Sequence, residues 1–138
     1  MKKDIEIRKV TDIAMAIVPP TEEEIALDAN SPWEVHFINL KQEEIRSLLL
    51  NSTGYDKKDG KDVKTATFRH FYESVPAMSC IKVELLPLEL HELTQEFMIS
   101  FSYDGYLFDK KYIFVKGSLD EQNFTMIPIL ERRGVMIK

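Results

Sequence analysis

Three histidines, His36, His70 and His91, and one cysteine, Cys80, are the side chains here best suited to bind a metal, move a proton or attack a carbonyl. Their spacing argues against all three roles. No two histidines fall at i, i+2 or i, i+4, the separations that put two ligands on one element. Glu92 beside His91 and Glu73 near His70 could orient an imidazole, but such neighbours are common by chance. Cys80 shares a strand face with Lys82 and Glu84, and a nearby ammonium lowers a thiol's pKa. It has no histidine close in sequence, and a lone cysteine is usually inert. The chain lacks a Gly-x-Ser-x-Gly elbow, and its glycines occur singly, so no loop is built to cradle phosphate. Acidic groups stand at Glu22-Glu23-Glu24 and at Asp56, Asp59 and Asp62. The second set alternates with Lys57, Lys58 and Lys61, which repel a cation, and reads as a solvated hairpin tip. No catalytic residue, metal site or cofactor is expected.

Recognition is the other chemistry available. Arg69-His70 is flanked by Phe68, Phe71 and Tyr72, and an arginine among aromatics can grip a carboxylate or lie over a ring. Trp33 opens another apolar segment. Aromatic and arginine side chains dominate interface energetics, so Trp33, Arg69, His70, Phe71 and Tyr72 are the candidate contacts for a partner or ligand. Two functions compete. One is a non-catalytic interaction or scaffolding module with an unidentified protein partner. The other is a small-molecule-binding protein or enzyme with a pocket reaching Arg69 and His70.

The elements that must position these residues are short strands separated by turn chemistry. Residues 13–18 form an apolar, strand-sized run that stops at Pro19-Pro20, after a possible extended lead-in at 5–7. Residues 21–30 read as a loop holding one helical turn, with Thr21 at the cap and Glu24 three positions on. Residues 33–40 alternate, with Trp33, Val35 and Phe37 on one face and Glu34, His36 and Ile38 on the other, which is half wet at the start and drier later. Leu48-Leu49-Leu50 lacks alternation and suits a central strand covered on both faces. Asp59-Gly60 turns a hairpin onto residues 63–72. In the next strand Ile81, Val83 and Leu85 face the core, opposite Cys80, Lys82 and Glu84. Phe97, Ile99, Phe101 and Tyr103 alternate up to Asp104-Gly105, which closes a second hairpin onto residues 106–115. A two-residue turn there sets Ile99 against Lys110. That conflict favours a bulge near Asp109-Lys110-Lys111 over a lysine stem lying across the sheet. Ser118-Leu119-Asp120-Glu121 has the form of a capping box and predicts a short helix over 119–125.

The expected fold is therefore all-β: a two-sheet, immunoglobulin-like sandwich of about seven strands over 1–117, with a short helical C-terminal tail at 118–138 packed on it. The whole is one domain, and an open barrel is the second choice. The chain has 138 residues and a net charge of -5. Length suits one domain, and the acidity argues against a nucleic-acid partner, which demands a basic face. No apolar run approaches the ~20 residues that cross a bilayer, so no membrane partner is expected and the cytoplasm is the expected location. The apolar residues of the tail must cover something. A homodimer joined through the tail or an edge strand is expected.

Several stretches resemble an uncharacterised family of small bacterial proteins of about this length: residues 1–7, Gly60-Lys61-Asp62-Val63-Lys64-Thr65 on to Arg69-His70, Lys82-Val83-Glu84, residues 107–114, and Ile127-Pro128 through Gly134-Val135. Members are sometimes labelled phenylalanyl-tRNA synthetase alpha subunit. A synthetase core for ATP, amino acid and tRNA needs a far larger domain, so that label does not suit this chain. The resemblance implies no active residues.

Overall fold

The computed structural model describes residues 8–58 and 60–138. The lead-in at 5–7 and Asp59 lie outside them. Two antiparallel sheets pack face to face. One runs β6-β2-β1-β10-β9, from Ser79–Leu86, Trp33–Asn39, Ile13–Val18, Arg132–Ile137 and Thr125–Ile127. The other runs β4-β3-β7-β8, from Lys61–Lys64, Ile45–Lys58, Thr94–Tyr103 and Tyr106–Phe114, with β5 (Phe68–Val75) also paired to β3. Between them lies one core, in which Met15, Ile17 and Phe37 of the first sheet meet Leu48, Leu50, Phe97, Phe101 and Tyr112 of the second. The buried Tyr112 hydroxyl donates to the Ile13 carbonyl across the gap, at 3.2 Å. Asn39, fully buried, donates to the Val75 and Pro76 carbonyls and accepts from the Lys41 amide, tying the end of β2 to the β5–β6 turn. These bonds satisfy polar groups that burial would otherwise penalise.

Much of the expected pattern is present. The helical turn is α1 (Glu22–Leu27), with Thr21 and Glu24 exchanging both capping-box bonds. The β7–β8 hairpin turns at Asp104 (φ 51°) and Gly105 (φ 75°), the doubly left-handed pair its Asp-Gly sequence predicts. Nothing lies within 4 Å of a Cβ built on Gly105, so a side chain there meets conformational strain rather than a clash. Gly105→Val is expected to cost about 1–3 kcal/mol, measured as a lowered midpoint in urea with an unchanged slope.

Five expectations are corrected. Pairing of β7 with β8 is unbroken from Gln95–Phe114 to Tyr103–Tyr106, so the bulge near Lys110 does not form. Lys110 stays opposite Ile99, lays its stem beside Tyr112 (4.9 Å from Nζ to the ring) and donates to the Lys138 carbonyl. Residues 63–72 are two strands, because the chain breaks pairing at 65–67 and re-enters as β5. Leu49 is 39% exposed, so β3 is central in pairing but covered on one face only. A bulge opposite Val35 and His36 leaves Val83 unpaired and shifts β6 by one residue. Beyond it Glu84 takes the inward face and Leu85 the outward one, 52% exposed, because strand faces alternate residue by residue.

The tail is the fifth. It contains one three-residue 3-10 turn, η2 (Glu121–Asn123), capped by Asp120 rather than Ser118. It then runs as the hairpin β9–β10. The hairpin loop holds Ile129 and Glu131 at positive φ, and β10 pairs with β1 in the middle of the first sheet. A helical tail laid over a finished sandwich is replaced by strands that complete it.

Candidate interaction surface

The two sheets differ on their outer faces. On the first, Ala14, Ala16, Val18 and Ile38 are buried with Ile127, and Leu130 packs against them. Ile127, Leu130 and Met136 of the β9–β10 hairpin thus pack on this face, and the small alanines leave them room. The covering also buries charge. Glu34 and His36, expected to be wet, are 8% and 5% exposed. The Glu34 carboxylate accepts from His36 Nε2 at 2.9 Å and from Arg132 Nη1 at 3.1 Å. A second Arg132 nitrogen donates to the Pro19 carbonyl, clamping β10 over the end of β1.

Burial pushes the His36 pKa down, against the opposing pull of the Glu34 bond. Burial raises that of Glu34, but His36 and Arg132 more than reverse it and hold the carboxyl below its usual range. Histidine is therefore neutral here. With Nε2–H given to Glu34, His36 Nδ1 is left buried without a partner. The cluster is a charged clamp beneath a strap, and the spacing of Glu34 and His36 in sequence gave no sign of it. Its third member stands 98 residues from Glu34.

The five candidate contacts are not brought together. On β5 successive side chains alternate, so His70 and Tyr72 turn inward while Arg69 and Phe71 turn out. Among the described residues Arg69 and His70 therefore lie on opposite faces of the second sheet. His70 Nε2 lies 3.2 Å from Glu84 Oε1, a pair created by the β6 bulge. Tyr72 sits close enough to Glu84 that burial, and then that carboxylate, raise its pKa. Trp33 is edge-on to His91 (4.8 Å) and to Phe124 (5.8 Å), a packing role at the far end of the first sheet. Burial likewise lowers the His91 pKa. It raises that of the Cys80 thiol, the opposite of what a nucleophile requires. Among the described residues, no group of three or more His, Cys, Asp or Glu is placed to hold a metal.

The outer face of the second sheet is different. Phe71 (64%), Leu49, Met98, Ile113 and Leu107 all stand exposed on it, interleaved with Arg69, Asp109 and Lys111. Register aligns Phe71, Leu49, Ser100 and Asp109 across the four strands, and Arg69, Asn51, Met98 and Lys111 in the adjacent row. No protein-family model matches this chain, and no curated protein matches it. The site must be judged on its own geometry. Between the two rows lies a depression of about 210 Å³, where the short side chain of Ser100 sits among Leu49, Asn51 and Met98. A larger groove of about 610 Å³ lies at the end of the same sheet, lined by Tyr55, Asp62, Lys64, Thr94 and Glu96. Its lining mixes polar and apolar side chains, holds no histidine or cysteine, and includes Asp56, which pairs with Lys116 at 2.7 Å. Of all these places, the open sheet face best fits a role, because exposed apolar and aromatic side chains interspersed with Arg are interface composition.

Proposed function

We propose that this protein is a non-catalytic interaction module, an immunoglobulin-like sandwich in the broad architectural sense, which binds a protein partner through the outer face of its second sheet. The cytoplasm is the proposed location, and among the described residues no helix is long and apolar enough to cross a membrane. One observation carries the reading. The chain's own hairpin packs on the Ala14, Ala16, Val18 and Ile38 part of the first sheet's outer face, leaving Leu85 exposed at its β6 edge, while the second presents Leu49, Phe71, Met98, Leu107 and Ile113 to solvent. A fold that covers most of one face and leaves the other open retains apolar area whose burial against a partner is favourable at ~25 cal/mol per Å². Arg69 and Phe71 are then the anchors, and Tyr72 and His70 support them from the inner side of β5.

The test is a photo-crosslinking residue placed at Phe71 or, as a control, at the exposed Glu22 of α1, expressed in the cells that naturally make the protein. The Phe71 position is expected to give a discrete higher-mass adduct that the Glu22 position does not. Absence of an adduct at Phe71, or equal adducts at both, overturns the proposal.

A further inference from the structure

We infer that the partner seated on this face is a second copy of the chain, related by a twofold axis that crosses the strands between the Phe71 and Arg69 rows. The inference rests on the interaction-module reading and supplies its partner. Isologous interfaces must be self-complementary, so the face can be tested against its own image.

A twofold perpendicular to the strands keeps each strand over its own copy and exchanges the rows. Phe71 then lies over the second copy's Arg69, a cation–π arrangement made twice. Asp109 lies over Lys111, again twice. The next rows outward oppose Leu107 and Ile113, whose partners across β7 are Ser102 and Glu96. Met98 is set over Ser100, whose short side chain leaves the 210 Å³ depression, so a protrusion meets a hollow. No like charges are superposed. Rotation about the other in-plane axis, along the strands, sets Arg69 over Lys111 and Phe71 over Asp109, which repels in one place and strands an aromatic in the other. The charge pattern thus selects one axis.

The size is adequate. Four strands at ~4.8 Å spacing and nine residues at ~3.4 Å give about 600 Å² in plan. Side-chain relief brings that toward the ~800 Å² per partner of a standard interface. Two sheets packed within ~30° of alignment interdigitate side chains in this way inside sandwiches themselves. The edges offer a poorer contact, since antiparallel self-pairing of β8 about its centre sets Lys110 against Lys110.

Light scattering and sedimentation on the full chain test the pairing. Wild type is expected to dimerise in the micromolar range. Asp109→Lys and Lys111→Asp alone should each weaken the dimer by about tenfold or more, and the double exchange should restore it. Mixing Leu107→Cys with Ile113→Cys protein should give a disulfide-linked dimer that neither variant forms alone. This second readout stands even if a charge variant misfolds. A wild-type chain still monomeric at about 100 μM, or a double exchange that fails to recover in folded protein, overturns the twofold. Should the Phe71 crosslink then contain a different protein, the interaction face survives and only the second copy is lost.

Discussion

Gly134→Val is expected to remove the cooperative thermal transition altogether, and deletion of residues 118–138 should do the same. Gly134 lies on β10 where that strand leaves β9 to pair with β1. A Cβ at this position would stand 2.6 Å from Val18 Cγ1, 2.7 Å from the Ile17 carbonyl oxygen and 3.0 Å from Val18 Cα. Two of these are backbone atoms of a strand fully buried over 14–18, so neither can swing aside. Relief requires β10 to withdraw from its place between β1 and β9 in the first sheet. That withdrawal exposes Ile127, uncovers Ala14, Ala16 and Val18, and breaks the Arg132 clamp on Glu34 and Pro19. Overpacking of a core costs about 1–3 kcal/mol where the structure can yield, and more where it cannot. A domain stabilised by about 5–15 kcal/mol has little room for the larger value plus the loss of an internal strand. Gly134→Ala is the milder probe and should lower the melting temperature by several degrees or more, read by circular dichroism. A Gly134→Val protein that melts like wild type would show that β10 does not approach β1 in solution.

The same strand marks where the sequence could and could not be read. The β7–β8 hairpin was legible because both signals were local: alternation at 97–103 and an Asp-Gly pair that accepts two left-handed residues. Lys110 opposite Ile99 followed from counting alone, although a bulge was the wrong remedy. The long stem of lysine can lie along apolar surface while its ammonium reaches out, and here the ammonium finds the Lys138 carbonyl. The β6 bulge was illegible, since Cys80 to Leu85 alternate without a break and only pairing with β2 forces the slip. That slip moved Leu85 to solvent and brought Glu84 to His70.

The tail failed for a different reason. Ser118 to Glu121 has helix-start chemistry, but its short apolar runs fit strand and helix alike, and an unpaired edge on β1 in the first sheet is not visible from residues 118–138. Of the candidate contacts, Arg69 and Phe71 were recognisable by type. Their neighbours on the open face, Leu49, Met98, Leu107 and Ile113, come from three other strands and are assembled only by register.

Acid sensitivity is the second large effect expected, and it follows from Glu34 and His36 both losing their environment when the chain unfolds. His36 has a native pKa below its ordinary 6.5, because burial disfavours the imidazolium. Above pH 6.5 neither the native nor the unfolded histidine binds a proton, and the group is neutral to stability. As the pH falls below 6.5 the unfolded state takes the proton first, so stability declines until the lower native pKa is reached. Glu34 acts in the same direction at lower pH. Its native pKa lies below 4.5, because the His36 and Arg132 bonds outweigh burial. The stabilisation it provides is complete above 4.5 and is lost as the pH drops through the native value.

The groups facing His36 are Glu34 beside it, Arg132 from the covering hairpin and Lys82 from β6. The two cations oppose a second positive charge, and Nδ1 has no acceptor for an added proton. Unfolding free energy should therefore fall with pH from about 6.5 downward, with a slope of up to ~1.4 kcal/mol per pH unit for the one proton involved. His36→Gln keeps a donor for Glu34 and removes the titration. It is expected to flatten the curve between pH 6.5 and 4.5 while leaving the steeper loss below 4.5. Glu34→Gln should instead lower stability at neutral pH, since it leaves Arg132 without its carboxylate, and should blunt the decline below 4.5. Urea denaturation of the three proteins from pH 4 to 8 separates these contributions. If wild type and His36→Gln run parallel across that range, the His36 pKa is the same in the native and unfolded states, and burial does not hold it down.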